Sequence, residues 1–160
     1  MSHLAEIFQE MGFHTKSVRL PEAGVIYALA RTFSLVNRQL AAVYQRFGLS
    51  AASFNLLMLL KHGRDPDGCT QQAIGSRLVV SPSDMTGLLD RLERRELVKR
   101  LPGKDRRSKL LRITPKGSAL LDDVWPHHVE AIQRLTRIFK PAEGKVLLAA
   151  LSRMRQVSAA

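Results

Sequence analysis

SPSDMTGLLDRLERRELVKRLPGKDRRSKLLRITPKG, residues 81–117, decides how the whole chain is read. Ser81 stands as a helix N-cap, with Pro82 at the first helical position and Asp84 three residues after the cap, a capping box in its Asp form. Met85, Leu88, Leu89 and Leu92 then recur at i, i+3, i+4 and i+7, one buried stripe of an amphipathic helix. The opposite face carries Ser83, Thr86, Gly87, Asp90 and Arg94, groups small or polar enough to meet base edges and phosphates. After Glu96 the period changes. Residues 97–101 and 108–113 are short strand-like runs joined through Pro102-Gly103-Lys104-Asp105, which predicts a β-hairpin. Thr114-Pro115 opens the next helix.

Immediately before this stretch, Thr70 caps a short helix running to about Leu78, so two helices joined by a tight turn precede a hairpin. That order predicts a winged helix-turn-helix. An α-helix fits the major groove of B-DNA, and the narrower minor groove attracts arginine. Backbone N–H groups at the start of the second helix form a further phosphate site.

The charge agrees. The 160 residues carry 25 Lys and Arg against 14 Asp and Glu, a formal net charge of +11. Positions 91–116 hold eleven of those cations (Arg91, Arg94, Arg95, Lys99, Arg100, Lys104, Arg106, Arg107, Lys109, Arg112, Lys116) and three acids (Glu93, Glu96, Asp105). A concentration this one-sided favours nucleic acid as partner, with an anionic membrane surface as the competing reading.

Outside the lobe the chain reads as helix. Leu4, Ile7, Phe8 and Met11 predict a short amphipathic helix over residues 2–13. A long helix follows Pro21, with Ile26, Leu29, Phe33, Val36, Leu40, Val43, Tyr44 and Phe47 on its stripe and Gly48 as its stop. Ser50 caps a helix over residues 51–62. The helix from Thr114 has Leu121, Val124, Val129, Ile132, Leu135 and Ile138 on its stripe, and Pro126 inside it should kink or break it. A last helix from Pro141 is expected to bury Leu147, Leu148, Leu151 and Met154. One subunit cannot bury stripes at both ends of the chain, so a two-fold dimer is expected. The fold class is mainly α with a small β-wing. Residues 1–47 and 118–160 supply a helical dimerisation region around a DNA-binding lobe at residues 48–117.

Residues 49–121 resemble the MarR family of winged-helix transcriptional regulators. The resemblance rests on Thr70-Gln71, Arg77-Leu78, Ser81-Pro82-Ser83 with Thr86, and Leu89-Asp90-Arg91-Leu92-Glu93. It continues through Leu97-Val98 with Arg100, Asp105-Arg106-Arg107, and Ile113-Thr114-Pro115-Lys116-Gly117. It implies that Arg107 enters the minor groove, that Asp105 holds it, and that Arg106 meets phosphate or supports the wing. It also implies that Ser81, Ser83 and Thr86 face phosphates or bases and that Thr70 caps the supporting helix. Gly87 stands where the family often has a larger polar group, and the wing turn is shorter than usual. The DNA-binding set is thus Thr70, Ser81, Ser83, Thr86, Gly87, Asp90, Arg91, Arg94, Asp105, Arg106, Arg107 and Lys109.

The family's effector crevice, between dimer helices and lobe, would here be lined by Phe33, Asn37, Phe54 and Met58. Arg112 would serve as partner for the carboxylate of a small aromatic or acidic ligand. Leu4, Ile7, Phe8, Met11, Leu147, Leu148 and Leu151 would form the dimer contact. The expected function is a homodimeric repressor released from a pseudo-palindromic operator by that ligand. The alternatives are an architectural DNA-binding protein without a switch and a basic protein of the membrane surface.

No catalytic arrangement emerges: the chain has no phosphate-cradling glycine loop, metalloprotease pair or nucleophile elbow. No cofactor or metal is expected from His62, His127 and His128, because the adjacent His127 and His128 point to different helix faces and the positions four residues on, Ala131 and Ile132, offer no second ligand. Trp125 reads as a core or interface anchor. The one cysteine, Cys69, reads as lying in a loop with no basic neighbour except distant Arg64, so nothing lowers its pKa. The longest apolar run, residues 23–30, is far short of the ~20 residues of a spanning helix. With no secretory signal at the N-terminus, a cytoplasmic protein is expected.

Overall fold

The computed structural model describes residues 6, 9–10, 12, 23–63, 68–78, 82–103 and 109–158, without the side chains of residues 23, 82, 83 and 158. The expected helix over 2–13 therefore lies almost wholly outside the described residues, as do Leu4, Ile7, Phe8 and Met11. Ser81, Asp105, Arg106 and Arg107 lie outside them too, so neither the Ser81 capping box nor the wing tip is described.

The order of elements is α1 (Ala23–Gln45), α2 (Ala51–His62), β1 (Cys69–Thr70), α3 (Gln71–Gly75), α4 (Pro82–Arg94), β2 (Val98–Pro102), β3 (Lys109–Ile113), α5 (Pro115–Thr136) and α6 (Pro141–Ser158). Gly48 follows α1 with φ 68°, the left-handed conformation expected of a helix stop. Ser50 caps α2 by accepting from Ser53 N–H at 3.1 Å. Thr70 and Thr114 cap α3 and α5 in the same way, accepting from Ala73 and Gly117 N–H at 3.2 and 3.0 Å.

Strand β3 is central in a three-stranded antiparallel sheet of order β1-β3-β2. The hairpin pairs Val98 with Ile113 and Pro102 with Lys109. The third strand was not expected. Cys69 and Thr70 pair with Leu111 and Leu110, so Cys69 belongs to the sheet rather than to a loop. Its surroundings also differ from expectation, because Arg77 brings a guanidinium nitrogen to 4.0 Å from its sulfur.

The lobe's core lies between α2, α4 and the sheet. Leu56, Leu57, Ile74, Leu88, Leu89, Leu92 and Leu111 are all at most 2% exposed. Each such side chain contributes about 1.5–3 kcal/mol on burial, so the i, i+3, i+4, i+7 stripe fixes which face of α4 turns inward. Helices α1 and α5 pack against each other, joined through Tyr44, Phe54 and Val124 to the same core.

Helix α5 runs through Pro126 without a break. Proline removes the hydrogen bond to the carbonyl four residues back, here Asp122. Both residues are exposed, on a side of the helix where water can replace the lost hydrogen bond. The helical region exposes several large apolar side chains. Ile26, Phe33, Leu147 and Leu148 are 54%, 67%, 42% and 68% exposed in the single chain.

Candidate nucleic-acid interface

The recognition helix α4 presents the face that the leucine stripe leaves outward. Thr86, Arg91 and Arg94 are exposed, while Gly87 and Asp90 are half-buried. A Cβ built on Gly87 would meet only an Arg91 guanidinium nitrogen, at 3.9 Å, so the helix surface there is open to close approach. Thr70 is half-buried, and its hydroxyl oxygen is occupied in capping α3. Lys109 is exposed at the start of β3.

How α4 ends sets how the wing leaves it. Glu96 adopts φ 59°, and Leu97 N–H donates to the Leu92 carbonyl at 2.9 Å, stopping the helix after Arg94. A left-handed non-glycine residue is held only where its surroundings enforce it. Here Thr114 Oγ1 donates to the Glu96 carbonyl at 2.6 Å, and Lys116 Nζ donates to the Glu96 carboxylate at 2.8 Å. The Lys116 hydrogen bond and charge hold the Glu96 carboxyl below its usual pKa.

Arg100, half-buried on β2, completes the joint. It donates to Asp90 at 2.8 Å and to Glu93 at 2.6 Å, both on α4. The wing's first strand is thereby fastened to the recognition helix. Sequence reasoning placed Arg100 among the wing's cations without finding this role. Its partners lie seven and ten residues back across a chain reversal, beyond any helical-spacing rule. Asp90, expected on the DNA-facing surface, is engaged in this ion pair.

The five residues expected around an effector lie on α1, α2 and β3. Met58 lines a cavity of about 380 Å³ with His62, Leu121, Asp122 and Trp125. Asp122 on its wall is paired with Lys61, whose ammonium also donates to the Ser118 carbonyl. Phe54 is instead core, stacked on Tyr44 at 4.2 Å between ring centroids. Phe33 and Asn37 are exposed on α1, and Arg112 is half-buried on β3 opposite Lys99.

Of the histidines, His127 packs on Phe47 and His128 on Tyr44, Phe54 and Trp125. Tyr44 Oη lies 3.0 Å from His128 Nδ1. Burial raises the phenol's pKa and lowers the imidazole's, so the phenol is the donor to a neutral ring.

Comparison with known proteins identifies this architecture. The MarR family model matches residues 47–108. The HTH-type transcriptional regulator PecS of Dickeya dadantii (strain 3937) is 33% identical over 133 residues, covering 82% of this chain and 80% of the relative. AbsC, a MarR family transcriptional regulator from Streptomyces coelicolor, shares the fold with a TM-score of 0.80 at 23% identity, covering 89% of this chain and 97% of that one. The transcriptional repressor CouR bound to a 23-mer DNA duplex matches with a TM-score of 0.71 at 30% identity, covering 81% of this chain and 90% of that one. CouR from Rhodococcus jostii RHA1 bound to p-coumaroyl-CoA matches with a TM-score of 0.72 at 25% identity, covering 86% and 95%. No helix among the described residues is long and apolar enough to cross a membrane. With its helix-turn-helix, its fastened wing and these relatives, the chain belongs to the MarR family of winged helix-turn-helix transcriptional regulators and is a DNA-binding protein, not an enzyme.

Proposed function

We propose that the protein is a homodimeric repressor, acting in the cytoplasm, that leaves a pseudo-palindromic operator when a small ligand binds. The observation that carries this reading is the polar outer face of α4 opposite a fully buried leucine stripe. In each half-site Ser83, Thr86 and Gly87 face the major groove. Thr70, Ser81, Arg91, Arg94, Arg106 and Lys109 serve the phosphates, and Arg107, held by Asp105, reaches the minor groove. The half-sites lie about 10–10.5 base pairs apart, one turn of the duplex.

The ligand is a small aromatic or acidic molecule, and the cavity at Met58 and Trp125 offers it an apolar wall between α2 and α5. The p-coumaroyl-CoA complex of CouR supports a ligand-bound state in a relative. Footprinting upstream of the protein's own coding region, then screening aromatic acids for release, tests both halves. A protected palindrome released by one acid is the expected result. Uniform protection of all DNA would instead make the protein architectural. Affinity should also fall by about 10³–10⁵ between 50 and 200 mM salt if ~6–10 phosphates are contacted.

A further inference from the structure

A second cavity, of about 340 Å³, opens where the C-terminal turn of α4 meets the N-terminus of α2. Its wall is made by Ser50, Ser53, Arg91, Leu92, Arg94 and Arg95, with Gly48 at its edge. Three guanidinium groups on one wall would ordinarily be balanced by neighbouring carboxylates. The nearby acids are committed elsewhere: Asp90 and Glu93 to Arg100, and Glu96 to Lys116. Among the described residues neither Arg91 nor Arg94 has a carboxylate partner.

Arg95 is fixed in place, because it donates to the Gly48 and Phe47 carbonyls that follow α1. Arg91 and Arg94 are exposed and line the same cleft. Opposite them, Ser53 is only 7% exposed, and its hydroxyl lies 3.0 Å from that of Ser50. One of these two hydroxyls donates to the other. The remaining O–H is left for an occupant, alongside the orphan N–H groups that open α2. Leu92 apart, every side chain on the wall is thus a guanidinium or a hydroxyl.

We propose that this cleft is a seat for a phosphate-type oxyanion, contributed by the DNA backbone or by a free phosphate ester. The DNA source rests on the DNA-binding reading above; the cleft itself does not. Arginine suits the role because its planar fork matches phosphate oxygens two at a time.

The test uses the full-length protein with Arg94→Gln and Ser53→Ala, and with Arg153→Gln on α6 as a control of equal charge change. Binding to a mixed-sequence duplex is titrated against salt. Separately, melting is followed in inorganic phosphate and in chloride at matched ionic strength. If a DNA phosphate fills the cleft, Arg94→Gln lowers the salt slope by about 0.9 per protomer. Ser53→Ala then weakens binding by about 2- to 10-fold without changing that slope. If a free phosphate ester is the occupant, phosphate raises the melting temperature of the wild type but of neither variant, and the slope stays unchanged. Either result supports the seat, provided that Arg153→Gln behaves as wild type. Unchanged slope and affinity together with identical melting in both anions would overturn it. A flat salt response of the wild type would instead sink the DNA reading, leaving the melting arm to decide the cleft.

Discussion

Arg100 and Asp90 meet at 2.8 Å across the joint between β2 and α4, with side chains 27% and 48% exposed. Because the same guanidinium also holds Glu93 at 2.6 Å, the wing cannot swing about the recognition helix without breaking both contacts. A partly solvated pair adds little to stability, so its value is geometric. Arg100→Met should lower stability by about 1 kcal/mol or less by chemical denaturation. It should reduce operator affinity more than that, since α4 and the wing must reach two grooves at once. Affinity that falls no further than stability would show that the joint does not orient the wing.

Gly117 marks a second close approach. It is buried at the first turn of α5, and a Cβ there would overlap the Leu97 carbonyl oxygen while meeting Ile113 Cγ1 at 3.0 Å. That same carbonyl accepts from Thr114 N–H at 3.1 Å, so it cannot move away without losing the hydrogen bond. Gly117→Ala should therefore destabilise the lobe by about 1–3 kcal/mol, the scale of overpacking in a tight interior. Thermal denaturation checks this, and a melting temperature equal to wild type would mean that α5 simply shifts outward.

Most of the architecture was legible in the sequence because its signals are local. Caps at Ser50, Thr70 and Thr114 and the leucine stripe of α4 each act within one or two helical turns. What escaped was non-local. A two-residue strand has no period, so β1 at Cys69–Thr70 could be found only through its pairing with β3. The approach of Arg77 to Cys69 depends on α3 folding back beside that strand. Likewise Arg95, reaching the end of α1, spans a separation no spacing rule covers. The consequence of Pro126 turned on exposure, which decides whether its lost hydrogen bond is replaced by water. Phe54 shows why a helical stripe mixes core with lining: it lies one turn from Met58, yet it is 3% exposed and stacks on Tyr44.

His128 makes stability depend on pH. Burial depresses its pKa below the usual imidazole range, so the unfolded chain takes up the proton before the folded one does. Stability should therefore be full above the unfolded value, near pH 6.5, and fall as pH drops toward the depressed folded value. Below that value this contribution levels off. Protonation would also turn Nδ1 from acceptor to donor, opposing the Tyr44 hydroxyl. His128→Phe keeps a ring against Tyr44 and Phe54 and should reduce the loss in melting temperature between about pH 7.5 and pH 5.5. An identical pH profile in the variant would assign the dependence to other groups.

Leu148 tests the dimer more cleanly than Leu151. Leu148 is 68% exposed in the single chain, whereas Leu151 is half-buried within it. A charge at Leu151 would disturb packing inside the subunit as well as between subunits, so loss of dimer there would be ambiguous. At Leu148 the isolated chain leaves room for a solvated carboxylate, and Leu148→Asp should cost the monomer's fold little. Any large effect must come from burial against a second copy, where an unpaired charge is costly. Like Leu147, Ile26 and Phe33, it is a large apolar side chain left to water in the single chain. Leu148→Asp should thus sediment as a folded monomer with wild-type helical content. It should also bind operator far more weakly, because two half-sites are no longer engaged together. A folded dimer with unchanged operator affinity would place the subunit contact away from this face of α6.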